Sequence, residues 1–184
     1  MILPIYLYGQ PVLRKEAEDV PQDYPELNTL IANMFETLLQ AEGCGLAAPQ
    51  VGLGLRMFIV DGTELKEEYP ECADFKKAFI NPEILDASEE KVMYSEGCLS
   101  LPGISENVLR PKTIRVRYYD ENWQLHEEEL TGFNARIFEH EYDHLQGNVF
   151  TDRISPIRRQ FVNGKLAKIA KGKLTGKYKC KRNV

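Results

Sequence analysis

The sequence predicts an α+β domain in which mostly antiparallel sheets pack around a central helix, with a further helix near the C-terminus. Several short segments have the apolar or alternating pattern that is typical of strands, namely 56–60, 79–84, 91–94, 113–118 and 123–126. The last two are separated by Asp120-Glu121-Asn122, which predicts a hairpin turn. A chain of 184 residues with 43% hydrophobic content is expected to fold as one domain with a full core.

Residues 27–38 have apolar side chains at the spacing of an amphipathic helix. We expect this helix to begin near Asp23 or Pro25 and to end by Gly43, because Gly is a common helix stop. Its apolar face belongs to the core and implies no chemistry.

The C-terminal segment is predicted to form a helix because Ser155-Pro156 is a favourable N-cap and first-turn pair. We expect a modest apolar stripe, interrupted by Gly164, and fraying of the chain beyond Gly172. The residues of this stripe are Ile157, Phe161 and Ile169. We therefore assign residues 1–154 to the body of the domain and residues 155–184 to a basic C-terminal helix and tail of the same domain.

Charge is divided unevenly between these two parts. Of the 23 Lys and Arg residues, 11 lie in 153–184, which contains no Asp or Glu, and 12 basic and 28 acidic residues remain in 1–152. The formal net charge of −5 therefore hides a balance of −16 in the body. Such a basic end favours an anionic partner such as nucleic acid, although a solvated tail explains the charge equally well.

The composition points to neither a membrane nor an oxidising compartment. No apolar run approaches the length of a membrane span, and residues 1–8 lack the basic leader of a signal peptide. The four cysteines are too sparse for a disulfide scaffold. We therefore expect a cytoplasmic protein in which a cysteine is a candidate metal ligand.

The strongest functional signal is the H-E-x-x-H motif at residues 140–144. On a helix, this spacing places His140 and His144 on one face, where both imidazoles can bind one metal ion. Glu141 can then reach a water on the open side of the ion. Chance would produce the motif in roughly one chain of this size in a few hundred, so a metal-binding helix is favoured.

A catalytic site of this type needs a third protein ligand, and the usual downstream sources are missing. The extended motif H-E-x-x-H-x-x-G-x-x-H has Phe150 at its last position, and no glutamate follows Glu141. Asp152 remains a candidate without a motif. Upstream, Cys98 lies in the sequence E-G-C-L-S, where a metal would hold it as thiolate, although a buried inert cysteine is the alternative. A Cys-His-His set leaves one tetrahedral position open for water.

Three motifs of the chain together resemble the signatures of the peptide deformylase family. Residues 43–50 resemble G-x-G-L-A-A-x-Q, residues 96–100 resemble E-G-C-L-S, and residues 140–147 resemble H-E-x-D-H-L-x-G. The order and spacing of the motifs are those of the family, and the resemblance covers roughly residues 1–170. It implies a metal-dependent hydrolase of protein biosynthesis. Such an enzyme removes the formyl group co-translationally from the N-terminal formylmethionine of newly made proteins and releases formate.

The resemblance also implies a role for each matched residue. Glu141 would act as general base and then as general acid, while Gln50 and the backbone N–H of Leu99 would stabilise the oxyanion. One divalent metal ion is implied, which would be iron(II) in the cell, and zinc, nickel or cobalt also suit two imidazoles and a thiolate. The implied metal ligands are Cys98, His140 and His144.

Further residues near the motifs are predicted to surround the substrate. Gly45 and Gly97 are small enough for backbone pairing with an extended peptide. Arg136 and Glu96 flank the predicted metal ligands, so we expect them to pair with each other and to orient those ligands. The residues that we assign to the methionine pocket are Cys44, Tyr94, Phe133 and Ile137.

The implied partners are N-formylmethionyl peptides and, through the basic segment 155–184, the ribosome; we expect a monomer without membrane attachment. Two positions differ from the family pattern. Glu139 stands where glutamine is usual, and Ser105-Glu106-Asn107 stands where some members carry an arginine that contacts the substrate backbone. A zinc endopeptidase and a metal-stabilised RNA-binding module are the alternative functions, and neither of them predicts the glycine-rich stretch 43–50.

Overall fold

The computed structural model describes residues 1–183 and has the predicted α+β class. Its helices are α1 (Leu27–Ala41), α2 (Gly132–Leu145) and α3 (Pro156–Ala170). None of them combines the length and the apolar composition that a bilayer crossing requires. The strands of the described part are β1 (Ile5–Tyr6), β2 (Gly45–Ala47), β3 (Met57–Asp61), β4 (Lys76–Ala87), β5 (Lys91–Cys98), β6 (Leu101–Pro111), β7 (Thr113–Tyr119), β8 (Leu125–Thr131) and β9 (Cys180–Lys181).

The strands form three sheets, and antiparallel pairing predominates as predicted. The largest sheet has the order β2-β3-β4-β7-β8, with every neighbouring pair antiparallel. Strands β5 and β6 form a separate antiparallel hairpin, and β1 pairs in parallel with β9. Helix α2 contacts both the large sheet and β6, so it occupies the centre of the fold.

Strand β3 separates two hydrophobic cores. Met57 and Ile59 face a core that they share with α1 and α3, whereas Phe58 and Val60 face a second core that includes α2. All four side chains are fully buried. Because both faces of the strand are buried, its sequence is a continuous apolar run, which explains why it could be predicted.

Strand β6 was not predicted from the sequence, and its burial pattern gives the reason. Alternate residues Ile104, Glu106, Val108 and Arg110 point inward and are buried. Two of these four residues are charged, so the hydrophobic alternation that normally reveals a strand is interrupted. The buried charges are paired: Glu106 binds Arg158 of α3, and Arg110 belongs to the network described below.

Helix α1 begins at Leu27, two residues later than the nearer predicted start, and it ends before Gly43 as predicted. Glu42 adopts the left-handed conformation with φ 56°, and the N–H of Gly43 donates to the carbonyl of Leu38 at 3.2 Å. This arrangement satisfies a carbonyl of the last turn, which would otherwise lack a partner.

The polar loop between β3 and β4 supports the first turn of α2. The N–H of Phe133 donates to the Glu71 carboxylate at 2.9 Å, and the Asn134 side chain donates to the Glu71 carbonyl at 2.7 Å. Gly132 has φ +60°, and a Cβ there would lie 2.4 Å from the Glu71 carboxylate. The start of α2 is therefore capped by a residue that is remote in sequence.

Helix α3 is present, with Ser155 as N-cap, but the predicted apolar stripe is wrong at two positions. Ile157 and Phe161 are each 69% exposed, and the buried face consists of Val162, Leu166 and Ile169. The buried residues recur at the i, i+4, i+7 spacing of one helix face, and at about 100° per residue Phe161 and Ile157 lie about 100° and about 140° around the helix from Val162. The face formed by these three buried residues therefore determines the orientation of the helix.

The expected fraying beyond Gly172 is wrong, because the chain is ordered there and pairs with β1. Gly172 turns the chain with φ +67°, and the following residues return to the body, where β9 pairs with β1. Leu174, Tyr178 and Cys180 pack against the first core. The predicted tail extends to Val184, which lies outside the described residues.

Candidate active site

Two elements bring together the three predicted metal ligands. His140 and His144 lie one turn apart on α2, and Cys98 is the last residue of β5. Their ligand atoms all lie within 4.8 Å of one another, and Cys98 Sγ is 3.4 Å from His144 Nε2. A tetrahedral ion with ordinary bond lengths separates a sulfur and a nitrogen ligand by about 3.6 Å. The set therefore fits a divalent ion.

Asp152, the other candidate for the third ligand, lies elsewhere in the structure. Its carboxylate accepts hydrogen bonds from Arg14 at 2.6 Å and from Arg159 at 3.1 Å. It belongs to no group of potential metal ligands among the described residues. The geometry therefore favours the cysteine.

The ring of His140 is oriented by Glu96. The Nδ1–H of His140 donates to Glu96 Oε1 at 2.7 Å, which leaves Nε2 as the candidate ligand atom. Burial disfavours ionisation of Glu96, but the hydrogen bond with His140 and the Arg110 guanidinium outweigh it and hold its pKa well below the usual value. The carboxylate therefore stays charged and remains an acceptor for the imidazole.

The predicted contact between Arg136 and Glu96 is present. Arg136 Nη1 donates to Glu96 Oε2 and, at 2.9 Å, to the carbonyl of Val108, while Nη2 donates to the carbonyl of Val92 at 2.8 Å. Arg136 thereby joins α2 to both strands of the β5–β6 hairpin. The hairpin carries the cysteine and the helix carries the histidines, so this arginine connects the two halves of the site.

Sequence reasoning missed a second buried arginine, Arg110. Its guanidinium is 2% exposed and donates to both oxygens of Glu96 at 2.7 and 2.9 Å, and to Asp143 Oδ2 at 2.8 Å. Arg153 also binds Asp143, with two contacts of 2.6 Å. The one signal in the sequence was a charged residue in phase with Ile104 and Val108, which would have indicated an inward-facing arginine.

Glu141 lies beside the ligand set in a buried position. Its side chain is 4% exposed, Oε1 is 4.0 Å from His140 Nε2, and Oε2 has no hydrogen-bond partner among the described residues. Burial raises the pKa of Glu141 to about 7, despite the nearby imidazole of His140. A Cβ on Gly45 would lie 2.4 Å from Glu141 Oε1, so only glycine leaves the carboxylate in this place.

Glu139, which stands where glutamine is usual in the family, is also buried at 6% exposure. Its Oε2 has no hydrogen-bond partner among the described residues. Burial raises the pKa of Glu139 to about 7, although Arg110 and Arg136 oppose the shift. A carboxyl with that pKa is partly neutral at pH 7, and so it resembles an amide more than an exposed glutamate does.

The side-chain amide of Gln50 is held in one orientation. Its oxygen accepts from the N–H of Ala47 at 2.9 Å. Its nitrogen donates to Ser100 Oγ at 3.1 Å and lies 3.5 Å from Cys98 Sγ. The amide N–H group therefore points at the site. Leu99 occupies the tight turn between β5 and β6, directly after the cysteine.

Gln50, Cys98, Leu99, His140 and Glu141 line one cavity of about 1160 Å³. Most of the residues predicted to contact substrate line it, namely Cys44, Gly45, Gly97, Phe133 and Ile137. Tyr94 does not line the cavity; its ring packs edge-on against the ring of Phe133, with the centroids 5.4 Å apart. Sequence reasoning missed Tyr69, which stacks on Phe133 at 4.0 Å and comes from a polar loop without a motif.

The site combines a helix that carries two imidazoles and a carboxyl group, a cysteine sulfur from a neighbouring hairpin, and a fixed amide donor, all beside one cavity. Chemically this is the arrangement of a metal-dependent hydrolase, because three protein ligands would leave a tetrahedral ion one position for water, beside a candidate general base.

Comparison with known proteins agrees with this class. The family model described as polypeptide deformylase matches residues 2–160. A peptide deformylase of Christiangramia forsetii is 48% identical over 186 residues, covering 97% of this chain and 95% of that protein. The crystal structure of peptide deformylase from Thermus thermophilus has a TM-score of 0.82 at 38% identity, covering 94% of this chain and 100% of that one. Peptide deformylase from Ehrlichia chaffeensis in complex with actinonin has a TM-score of 0.83 at 36% identity, covering 95% and 99%.

The chain belongs to the polypeptide deformylase family. It is an enzyme, a hydrolase that removes N-formyl groups from nascent peptides. The family is one of metalloenzymes, and the chain has a Cys-His-His group that could bind the metal.

Proposed function

We propose that this enzyme hydrolyses the formyl group from the N-terminal formylmethionine of newly synthesised proteins and releases formate, using one divalent ion held by Cys98, His140 and His144. The observation that carries the proposal is the convergence of these three ligand atoms within 4.8 Å, beside a buried carboxylate. A structural role for the ion would account for the ligands but not for Glu141 and the cavity.

The ligand chemistry supports a borderline-soft divalent ion, with iron(II) in the cell and zinc, nickel or cobalt as substitutes in purified protein. When bound, such an ion would lower the pKa of a water molecule and polarise the formyl oxygen. The hydrogen bond from His140 to Glu96 supports this role, because it fixes the tautomer in which Nε2 is free to bind.

We assign the proton transfers to Glu141. Its carboxylate takes a proton from the water whose oxygen attacks the formyl carbon. It then delivers that proton to the amine nitrogen as the carbon–nitrogen bond breaks. The products are formate and a free N-terminal methionine. The buried position of Glu141, with Oε1 4.0 Å from His140 Nε2 and Oε2 without a hydrogen-bond partner among the described residues, suits a group that must both accept and donate a proton beside the ion.

We assign the stabilisation of the oxyanion to two fixed donors, the amide nitrogen of Gln50 and the backbone N–H of Leu99. Charge grows on the formyl oxygen as the attack proceeds, and donors already in place stabilise it without reorganisation. Gln50 is suited to this role because its oxygen is occupied by Ala47, which keeps the N–H group directed at the site.

The substrate peptide is proposed to bind between two strands that each have an unpaired edge. Strand β2, which contains Gly45, is at the end of its sheet, and β5, which contains Gly97, pairs only with β6 among the described strands. An extended peptide can add its backbone hydrogen bonds to such edges. The methionine side chain would then contact Cys44, Phe133 and Ile137, with Tyr94 supporting Phe133 from behind.

Replacement of Phe133 with Ala tests the pocket. The variant should raise KM for formyl-Met peptides, because the stacked ring contributes apolar contact area to the methionine side chain. The matched comparison is a formyl-Ala peptide. Its shorter side chain makes less contact with the ring, so its KM should rise much less in the variant. Unchanged KM for both peptides would remove Phe133 from the pocket.

The test of the whole proposal is formate release from a formyl-Met tripeptide by protein prepared without oxygen. The parent enzyme should release formate, and the Glu141→Ala variant should lose at least about 10²-fold in kcat, because general acid–base catalysis contributes that much. Cleavage of unblocked internal peptide bonds would favour the endopeptidase alternative. Full function in the Glu141→Gln variant would favour a metal-stabilised module without catalysis.

We further propose that the basic segment 155–184 contacts the ribosome of the cytoplasm and that the enzyme acts as a monomer. The basic charge of the segment supports the ribosome contact, and Lys168, Lys171 and Lys173 are exposed on it. Because α3 packs into the core, charge removal is a better test than deletion. Replacing these three lysines with Gln should weaken ribosome co-sedimentation in a salt-dependent way. The control replaces the exposed residues Lys15, Lys66 and Lys91, and an equal loss in the control would refute the assignment.

A further inference from the structure

The segment that follows α3 folds back along the protein; we refer to residues 172–182 as the return segment. The N–H of Ile5 donates to the carbonyl of Lys179 at 2.8 Å, and the N–H of Leu7 donates to the carbonyl of Lys181 at 3.0 Å. The Gln10 side chain donates to the carbonyl of Arg182 at 2.6 Å. These contacts hold the return segment against the N-terminal strand.

The return segment also reaches the cavity that contains the ligand set. Residues 175–178 line this cavity together with Cys98 and Glu141. At the same place the hydroxyl of Tyr178 donates a hydrogen bond to the carbonyl of Leu99. A residue of the C-terminal segment therefore contacts the backbone of the residue whose N–H is proposed to bind the oxyanion.

The turn at Leu99 and Ser100 is held by three contacts from three different parts of the chain. Tyr178 binds the carbonyl of Leu99, the N–H of Tyr8 donates to the carbonyl of Ser100 at 2.8 Å, and Gln50 donates to Ser100 Oγ at 3.1 Å. The carbonyl and the N–H of one residue are joined through two torsion angles, so fixing the carbonyl limits the direction of the N–H. Of the three contacts, only that of Tyr178 acts on Leu99 itself.

We propose that Tyr178 is a positioning residue, which holds the carbonyl of Leu99 and thereby directs its N–H at the oxyanion. The inference rests on the proposed function and extends it to the return segment. The tyrosine ring has packing partners of its own, since it lies against the first core and against Gly176. A Cβ on Gly176 would lie 2.3 Å from Cζ of the ring. The hydroxyl is therefore the part of the side chain that serves Leu99.

The Tyr178→Phe variant tests this inference because it keeps the ring and removes only the hydroxyl. The expected result is a fall in kcat of about 10-fold with KM changed less than about 2-fold, measured by formate release from a formyl-Met tripeptide. Loss of a whole oxyanion donor typically costs about 10²–10³-fold in kcat, so a donor that is only loosened should lose less. An effect on kcat alone identifies an interaction of the transition state.

A second variant and a control separate positioning from a structural role. Gly176→Ala should displace the ring and produce the same selective loss of kcat. Lys179→Ala removes only a contact to the carbonyl of Ile2, at 3.2 Å, and should leave both constants unchanged. Thermal unfolding of each variant accompanies the kinetics.

The outcomes are distinct. A selective fall of kcat in both variants, with the control unaffected, supports the inference. Unchanged kcat in Tyr178→Phe overturns it, as does a rise in KM alone or a lower unfolding temperature with normal kcat. If the parent enzyme releases formate and Tyr178→Phe matches it, only this inference fails. A parent that releases no formate would overturn both this inference and the proposed function.

Discussion

Replacement of Gly45 with Ala tests whether the position of Glu141 depends on the glycine beside it. The added Cβ would lie 2.4 Å from Glu141 Oε1 and 2.8 Å from Cδ and Cγ, whereas ordinary contact begins at 3.4 Å. The carboxylate must therefore move by about 1 Å, the difference between 3.4 and 2.4 Å. A misplacement of this size can lower the rate by about 10²-fold.

The same clash affects stability less than it affects catalysis. Placing one extra methyl group in a packed interior lowers the free energy of unfolding by about 1–3 kcal/mol. An ordinary domain has a free energy of unfolding of about 5–15 kcal/mol and therefore stays folded. The variant should therefore fold, and formate release from a formyl-Met tripeptide should show kcat lowered by about 10²-fold. Gly54→Ala is the matched control, because a Cβ there meets no atom within 4 Å and should change nothing.

Two results would refute the reasoning. If Gly45→Ala retains kcat within about 3-fold of the parent, a displacement of about 1 Å at Glu141 does not matter, contrary to the expectation for a positioned base. If KM rises while kcat is unchanged, the methyl group obstructs substrate rather than the carboxylate. In that case Gly45 acts only through the proposed backbone pairing.

Three further variants test the surroundings of the site. Arg110→Met should lower the free energy of unfolding, measured by urea denaturation, by about 3 kcal/mol, because it leaves Glu96 in a broken buried network. Its control, Arg115→Met, removes an exposed ion pair and should lower the same free energy by less than about 1 kcal/mol. Glu71→Ala should cost about 1 kcal/mol in the same assay, because it removes the cap of α2, and an unchanged midpoint would show that the cap is dispensable. Gly97→Ala should leave thermal stability unchanged, since the nearest atom is 3.7 Å away, but should raise KM for formyl-Met peptides; unaltered kinetics would contradict backbone pairing at this strand.

The elements that could be predicted are those whose signal is local. Strand β3 is buried on both faces from Met57 to Val60 and is therefore apolar there, and α1 has its buried residues at regular helical spacing. The proximity of the two candidate ligands on α2 depends only on the geometry of one helical turn. These features require no knowledge of what packs against the element.

The features that could not be predicted depend on distant contacts. Strand β6 carries Glu106 and Arg110 on its inward face, and only their buried partners make that arrangement stable. The orientation of α3 was predicted incorrectly because Ile157 and Phe161 are apolar but find no core to pack against. Tyr69 reaches Phe133 only through the folded loop between β3 and β4.

The sequence by itself predicted the candidate metal ligands and the class of chemistry, because the spacing of the two histidines and the short motif around the cysteine are visible without knowledge of the fold. The tertiary structure decided how these ligands are oriented and which residues surround them. Glu96, Arg110 and Tyr178 act through contacts between separate segments, and Tyr178 is 79 positions from Leu99. Such contacts leave no periodic trace in the sequence, because they arise only when the cores and the buried ion pairs have fixed where each segment lies.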